Sequence, residues 1–129
     1  MDLHLTDKVI IVTGGAKGIG AGIVKVLAAE GAIPVVVGRN EVDNLKMIAE
    51  IEADGGRGFQ IVAELTQPIE CEKVVRLTMQ KWGRIDALVN NAGVNDNVGL
   101  ESGNYQRFVD SLHKNVVHYY LMAHHALPA

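Results

Sequence analysis

The chain has 129 residues, of which 48% are hydrophobic, and its formal net charge is −3. These values fit one globular domain and exclude intrinsic disorder, which requires low hydrophobicity or high net charge. The slightly acidic balance predicts neither nucleic acid nor an anionic membrane surface as a partner, and no apolar run approaches the roughly 20 residues that cross a bilayer. Cys71 has no second cysteine to pair with, and the N-terminus lacks a signal-peptide pattern, so we expect a cytoplasmic protein.

The first half of the chain predicts two strand–helix pairs. Val9–Val12 and Ile33–Val37 are β-branched runs, typical of strands buried on both faces. The helix between them is expected to end before Gly31, since glycine suits the left-handed position after a helix. Asn40 is the expected N-cap of the second helix, which the glycine pair 55–56 closes. The residues expected to face the core are Ile19, Ile23, Val26 and Leu27 in the first helix and Leu45, Ile48 and Ala49 in the second.

The second half of the chain repeats this alternation. Phe59–Ala63 predicts a third strand, and Pro68 in the first turn opens a third helix that ends at Gly83. The fourth strand is predicted at Ala87–Asn90, and a polar loop follows at residues 91–103. A long final helix is marked by apolar residues at helical spacing, namely Tyr105, Phe108, Val109, Leu112, Val116, Tyr120, Ala123 and Leu127.

The element order is therefore βαβαβαβα. Strands that alternate with helices predict an α/β fold with a doubly wound parallel sheet, similar to the Rossmann fold. Right-handed crossovers restrict the arrangement further. Nothing in residues 1–129 predicts a second domain.

Glycines cluster between the first strand and the first helix, in the segment Thr13–Gly20. Gly14, Gly18 and Gly20 form the pattern T-G-x-x-x-G-x-G, whereas the stricter G-x-G-x-x-G fails because Ile23 occupies its last position. Glycine lets a phosphate approach the backbone closely, and a helix N-terminus supplies unpaired N–H donors. We therefore predict a dinucleotide site here, against the alternative of a glycine-rich turn that binds nothing.

With these motifs the chain resembles the short-chain dehydrogenase/reductase family over its whole length. T-G-x-x-x-G-x-G is that family's cofactor motif, and its N-N-A-G motif stands here as Asn90–Gly93 at the end of the fourth strand. Asn115 stands where the family places the Asn of its Asn-Ser-Tyr-Lys set, which implies a part in a proton relay through a water molecule. Parts of the sequence also resemble the sugar and polyol dehydrogenases of this family, of the L-fucose dehydrogenase type.

Cofactor choice can be argued from the end of the second strand. Dinucleotide sites that prefer NAD carry an acidic residue about 20 residues past the glycines. Gly38 occupies that place and Arg39 follows it, and a guanidinium recognises a 2′-phosphate through a charge-assisted fork. Lys17 adds a second cation, so we expect NADP. NAD stays open as an alternative, because Glu41 in a shifted loop could accept from the ribose.

The family usually has an Asp followed by an apolar residue at the end of its third strand, where they contact the adenine, and Glu64-Leu65 stand there in this chain. Motifs and resemblance together make the candidate cofactor-binding residues Gly14, Lys17, Gly18, Ile19, Gly20, Arg39, Asn40, Glu64, Leu65, Asn91, Ala92 and Gly93, with Asn115 in the catalytic set. No metal site is expected, because the five histidines lack ligand spacing.

The resemblance implies an NAD(P)-dependent oxidoreductase that interconverts an alcohol and a carbonyl on a small substrate, such as a sugar or polyol. In the family the catalytic Ser, Tyr and Lys follow the fifth strand, and none of them stands before Ala129. Residues 1–129 are therefore expected to be the dinucleotide-binding half of a longer domain, with the fourth strand left as an unpaired edge. A non-catalytic NAD(P)-binding module and an inactive fragment are the alternatives. The family also packs its last helix across a dimer axis, which implies a homodimer or homotetramer.

Overall fold

The computed structural model describes residues 1–129 as four parallel strands covered by helices on both faces. The elements are β1 (Val9–Thr13), α1 (Gly18–Ala29), β2 (Ile33–Gly38), α2 (Glu41–Ala53), β3 (Phe59–Val62), α3 (Pro68–Trp82), β4 (Ala87–Val89), α4 (Tyr105–Leu112), a π-helical segment (His113–Val117) and α5 (His118–Ala126). The strand order is β3-β2-β1-β4, and every pair is parallel. The predicted α/β doubly wound sheet is confirmed, with strand bounds that differ from the predicted ones by one residue.

Side chains that alternate along the central strands divide the core into two clusters. Val9 and Ile11 of β1 face one side of the sheet, where α3 and α5 cover them. Ile10 and Val12 face the other side, against α1 and α2. All four are at most 4% exposed, which is the burial on both faces that a parallel sheet requires.

The helix caps follow the sequence closely. The Asn40 side chain accepts a hydrogen bond from the backbone N–H of Asp43 at 3.1 Å and begins α2. Gly31 and Gly83 follow the ends of α1 and α3 with φ of +84° and +74°, where a side chain would strain the backbone. These three predictions are confirmed.

The face that α1 turns to the sheet differs from the predicted one. Ile19 and Val26 are 79% and 61% exposed, and the other two expected residues are only half-buried. The buried residues are Gly20, Val24 and Ala28. The helix therefore packs through its smaller side chains, because these let its axis approach the sheet closely.

The predicted core face of α2 is correct only at Ile48, which is half-buried and packs against the core. Leu45 is 49% exposed and Ala49 is exposed, whereas the buried residues are Asn44, Met47 and Ile51. A fully buried asparagine breaks the apolar periodicity on which the prediction depended. Its hydrogen bonds, described below, explain why it is tolerated.

The final helix is present over the predicted range but is not uniform. It contains one π-helical segment between α4 and α5, which the apolar spacing did not predict. The side chains of α5 that face the core are His118, Met122 and Ala126. Most of the expected apolar stripe is instead exposed, namely Tyr105, Phe108, Leu112, Val116, Tyr120 and Leu127.

Three further features concern the edge strand, the single cysteine and the length of the helices. β4 is an edge strand that pairs only with β1, as expected, and Ala87 at its start is exposed. Cys71 is buried in α3, and burial raises the pKa of its thiol to about 11, which suits a core residue rather than a nucleophile. None of the helices has the length and apolarity needed to span a membrane.

Candidate functional site

A cleft of about 650 Å³ opens at the carboxyl ends of the four strands. The loops that follow β1, β2, β3 and β4 all contribute to its walls. Ligands of doubly wound sheets bind at this edge, and the cleft volume lies within the usual range for small-molecule sites. The topology therefore brings together residues that lie up to about a hundred positions apart in the sequence.

The glycine-rich loop after β1 forms the floor of the cleft. Gly14 and Gly18 adopt φ of +66° and +57°, which only glycine adopts readily. A Cβ at Gly18 would meet no atom within 4 Å, so this backbone faces open space. A Cβ at Gly20 would overlap the carbonyl oxygen of Gly14 and lie 2.6 Å from Nδ2 of Asn91. The loop thus presents bare backbone at the N-terminus of α1, the arrangement that receives a phosphate.

The loop after β4 is joined to β1 by the side chain of Thr13. The backbone N–H groups of Asn91 and Ala92 donate to Thr13 Oγ1 at 2.9 and 3.0 Å. The hydroxyl in turn lies 3.4 Å from the carbonyl oxygen of Val89. The Asn91 amide donates to the carbonyl oxygen of Gly14 at 3.2 Å, which holds the N-N-A-G segment against the glycine loop.

Two of the cations that line the cleft, Lys17 and Arg39, are paired with carboxylates across its wall. Lys17 Nζ lies 2.9 Å from Oδ2 of Asp43, and Arg39 lies 3.8 Å from Oε2 of Glu64. The Lys17 and Arg39 side chains are 75% and 68% exposed, so solvent screens both pairs and each contributes little to stability. An anion in the cleft can therefore recruit either cation at low cost.

The segment after β3 closes the cleft on the side of β2. Oε1 of Glu64 accepts hydrogen bonds from the hydroxyl and the backbone N–H of Thr66, at 2.9 and 3.3 Å. Leu65 turns its side chain into the core and is only 8% exposed. Glu64 is thus already bound on two sides, by Thr66 and Arg39, while Leu65 presents mainly backbone to the cleft.

Asn115 lies in the π-helical segment and is not among the residues that line the cleft. Its Oδ1 accepts from the backbone N–H of Val94 at 2.7 Å, and its Nδ2 donates to the carbonyl oxygen of Ser111 at 3.1 Å. A Cβ at Gly93 would lie 2.8 Å from the same Oδ1. In this structure the Asn115 side chain therefore supports the loop that follows β4.

Most of the candidate residues meet at this cleft. Those that line it are Gly14, Lys17, Ile19, Arg39, Asn40, Glu64, Leu65, Asn91, Ala92 and Gly93, whereas Gly18 and Gly20 lie in the first turn of α1 and are not among the lining residues. The sequence reasoning missed several other lining residues, among them Asp43, Asn44, Lys114 and His118. His118 is 2% exposed, its Nε2 lies 2.8 Å from the carbonyl oxygen of Lys114, and its Nδ1 has no partner. Lys114 and His118 lie one position before and three positions after Asn115 in the sequence. Their closeness to this candidate residue is the only sequence feature that could have predicted their place in the cleft.

The comparisons with known proteins agree with this geometry. The short chain dehydrogenase family model matches residues 8–129. The chain belongs to the short-chain dehydrogenase family. Over 110 residues, the chain is 37% identical to an uncharacterized oxidoreductase of Methylorubrum extorquens, and the match covers 82% of this chain and 44% of that protein.

Two solved structures of the family carry a bound dinucleotide. The L-sorbose reductase from Gluconobacter frateurii, complexed with NADPH and L-sorbose, superposes with a TM-score of 0.94 at 26% identity. The NADH-dependent reductase A1-R′, complexed with NAD, superposes with a TM-score of 0.91 at 27% identity. Each match covers 99% of this chain, and 49% and 54% of the two relatives respectively. The chain therefore spans about half the length of the proteins that it resembles.

Proposed function

We propose that the cleft binds NADP(H), and NAD(H) less tightly, and that residues 1–129 are the cofactor-binding half of an oxidoreductase. The observation that carries the proposal is the glycine loop. Gly14 and Gly18 expose left-handed backbone just before and at the start of α1, and the carbonyl oxygen of Gly14 accepts from the Asn91 amide of the N-N-A-G segment. Bare N–H groups and a positive helix end at this position fit a pyrophosphate.

Each wall of the cleft has its own part in the proposal. The glycine loop takes the pyrophosphate, and Leu65 and the strand end beside it take the adenine. Asn91, Ala92 and Gly93 lie along the ribose toward the nicotinamide. A bound nicotinamide dinucleotide would supply the hydride acceptor or donor, while this chain's residues bind it, orient it and keep its loops in register.

Preference for the 2′-phosphate rests on charge. Arg39 and Lys17 are the cations that line this side of the cleft, and no acidic residue stands at position 38 to accept from the ribose. A 2′-phosphate would displace Glu64 and Asp43 from pairs that solvent already weakens. The bound NADPH of the L-sorbose reductase supports this choice, and the bound NAD of the A1-R′ reductase supports NAD as the second cofactor.

The proposed reaction is the interconversion of an alcohol and a carbonyl on a small substrate, with a sugar or polyol as the first class to test. Asn115 would act there as a positioning residue through its hold on Val94. Residues 1–129 contain no Tyr followed four positions later by Lys, so this chain alone is expected to bind the dinucleotide without turnover. Binding without any turnover in a longer protein would favour a non-catalytic dinucleotide-binding module instead.

A cytoplasmic location and assembly through the last helix complete the proposal. The sole cysteine is buried and unpaired, which suits a reducing compartment. The exposed apolar side chains of α4 and α5 suit contact with a second copy.

The experiment is a fluorescence titration of the protein with NADPH and NADH. We expect tighter binding of NADPH, and Arg39→Gln should weaken NADPH by about tenfold or more while leaving NADH within about twofold, since a hydrogen-bonded charge contributes about 1.5–3 kcal/mol. Arg57→Gln is the matched control, because Arg57 pairs with Asp7 away from the cleft. Equal loss of both cofactors in Arg39→Gln would contradict a 2′-phosphate contact, and absence of binding in the unmodified protein would refute the proposed function.

A further inference from the structure

A buried amide lies behind the end of β2, where the adenosine side of the cleft begins. Asn44 of α2 is 0% exposed. Its Nδ2 lies 3.1 Å from the carbonyl oxygen of Gly38, 3.1 Å from Oε1 of Gln60 and 3.3 Å from the carbonyl oxygen of Ile61. Three acceptors therefore surround an amide nitrogen that has two hydrogens. The opposite orientation would place the amide oxygen against three oxygens, so the side chain has one allowed position.

The oxygen of the same amide fills the space beside Gly38. A Cβ at residue 38 would lie 2.5 Å from Oδ1 of Asn44 and 3.4 Å from its Cγ. Oδ1 has no hydrogen-bond partner of its own. The side chain cannot rotate away from a new Cβ without losing the contacts of Nδ2 inside the fold, where an unmet polar group is costly. The backbone of Gly38 lies outside the left-handed region, so it is the lack of space that requires glycine here.

We propose that Asn44 determines cofactor specificity by excluding any side chain from position 38. Position 38 is the place at which doubly wound NAD sites carry an acid for the ribose 2′-hydroxyl. While Asn44 is present that acid cannot be accommodated, and recognition of the adenosine ribose passes to Arg39 and Lys17. This inference rests on the dinucleotide binding proposed above. It assigns the choice between NADP and NAD to Asn44, a buried residue of α2, in addition to the charged residues at the surface of the cleft.

The test combines substitutions at the two positions. Gly38→Asp alone should lower Tm by about 4 °C or more, as expected for a clash of about 1 kcal/mol, and it should weaken NADP and NAD together. Gly38→Asp should lower Tm less in the Asn44→Ala background than in the unmodified protein, because Asn44→Ala removes the clash while it also removes the amide's own hydrogen bonds. The double variant should also move the ratio of NAD to NADP affinity at least tenfold toward NAD, compared with Asn44→Ala alone. Dissociation constants come from isothermal titration calorimetry with each dinucleotide.

Controls separate the clash from the added charge. Gly22→Asp introduces the same carboxylate on α1, where a Cβ would meet nothing within 4 Å, and should change neither Tm nor the affinity ratio. If Gly38→Asp does not fold, Gly38→Ala with and without Asn44→Ala measures the same coupling between the two positions.

Two results would overturn the inference. One is a Gly38→Asp variant that keeps the original Tm and prefers NAD as strongly as the double variant does. The other is a Tm decrease on introducing Asp or Ala at position 38 that is as large in the Asn44→Ala background as in the unmodified protein. Failure of the unmodified protein to bind either dinucleotide would instead refute the proposed function, while the Tm comparison would still decide whether the two residues exclude each other.

Discussion

At the scale of single residues, one hydroxyl joins two loops of the cleft. Thr13 is 0% exposed, and its Oγ1 accepts from the backbone N–H groups of both Asn91 and Ala92. These two residues begin the segment proposed to line the ribose. The motif includes this threonine but does not show what its hydroxyl binds, because the contact spans 78 positions in sequence.

We predict that Thr13→Val lowers the free energy of unfolding by about 1–3 kcal/mol, because valine keeps the shape but leaves buried N–H donors without an acceptor. Denaturant unfolding measures this change, and Thr13→Ser should recover most of it. Thr78→Val is the matched control: Thr78 is equally buried, but its hydroxyl only donates to the Val74 carbonyl oxygen of its own helix. If Thr13→Val and Thr78→Val lower the free energy of unfolding equally, the hydrogen bonds from the loop after β4 to Thr13 contribute nothing to stability.

A second residue, Asp86, makes stability depend on pH. Hydrogen bonds from Arg84 hold the pKa of its carboxyl below the ordinary value, the backbone N–H of Val9 acts in the same direction, and burial opposes both. A pKa that is lower in the folded state stabilises the fold above the unfolded-state pKa, and the contribution is lost as pH falls through the folded-state pKa.

We therefore expect Asp86→Asn to lower Tm at pH 7 and the difference from the unmodified protein to shrink as pH falls below about 3.9, the ordinary aspartate value. Thermal unfolding followed by circular dichroism between pH 7 and pH 2 measures it. Glu52→Gln removes an exposed carboxylate that forms no ion pair and should show no such trend. A Tm difference for Asp86→Asn that stays constant across this range would contradict the assignment.

At the scale of elements, the sequence predicts the four strands and the helical ranges that follow them. It predicts neither the π-helical segment of the last helix nor the faces of α1 and α2 that meet the sheet. α1 carries apolar side chains on more than one face, so periodicity alone cannot choose between Ile19 and Val24. Packing decides, because Gly20 must lie against Gly14 and brings Val24 and Ala28 with it. Propensity and periodicity measure how apolar a face is and not how closely it fits.

In the candidate site, too, some residues could be predicted from the sequence and others depend on packing. Its motif residues could be gathered from sequence because the carboxyl ends of parallel strands meet at one edge. The pairing of Lys17 with Asp43 and the burial of Asn44 could not, since each depends on how α2 lies against its neighbours. His118 is a similar case, because only the docking of α5 turns it toward the cleft.

The π-helical segment of the last helix supports the loop that follows β4. It carries Asn115, whose Oδ1 accepts from the backbone N–H of Val94 at 2.7 Å, and such segments often occur at functional sites. We predict that Asn115→Ala speeds hydrogen–deuterium exchange of the Val94 amide by about tenfold, since a hydrogen bond of about 1–1.5 kcal/mol is lost. Amide exchange followed by nuclear magnetic resonance measures it.

Asn104→Ala is the control for this prediction. Asn104 caps α4 by accepting from the backbone N–H of Arg107 at 2.9 Å, so its loss loosens the same helix at the other end. It should speed exchange near Arg107 and leave Val94 unchanged. If both variants affect Val94 equally, the effect comes from the helix as a whole and not from the Asn115 side chain.

At the scale of the whole molecule, the last helix leaves an apolar stripe without cover. Its members recur every three or four residues and are 37–81% exposed, namely Tyr105, Phe108, Leu112, Val116 and Tyr120. An apolar surface of this extent is uncommon on a monomer and marks an interaction face. In a symmetric dimer the same stripe meets itself, so a residue near the two-fold axis faces its own copy.

We therefore predict that the chain of 13.9 kDa sediments at about twice that mass at 50–100 μM, and that Phe108→Glu returns it to the monomer. Two carboxylates placed across a two-fold axis in an apolar interface repel each other and lose hydration, which costs several kcal/mol. Val42→Glu is the control, because Val42 is 74% exposed on α2, away from the stripe. Analytical ultracentrifugation distinguishes the outcomes. A monomeric unmodified chain at 100 μM would refute the association, and a dimer that survives Phe108→Glu would place the contact elsewhere. Dissociation by Phe108→Glu alone would identify the exposed stripe as the face through which two copies associate.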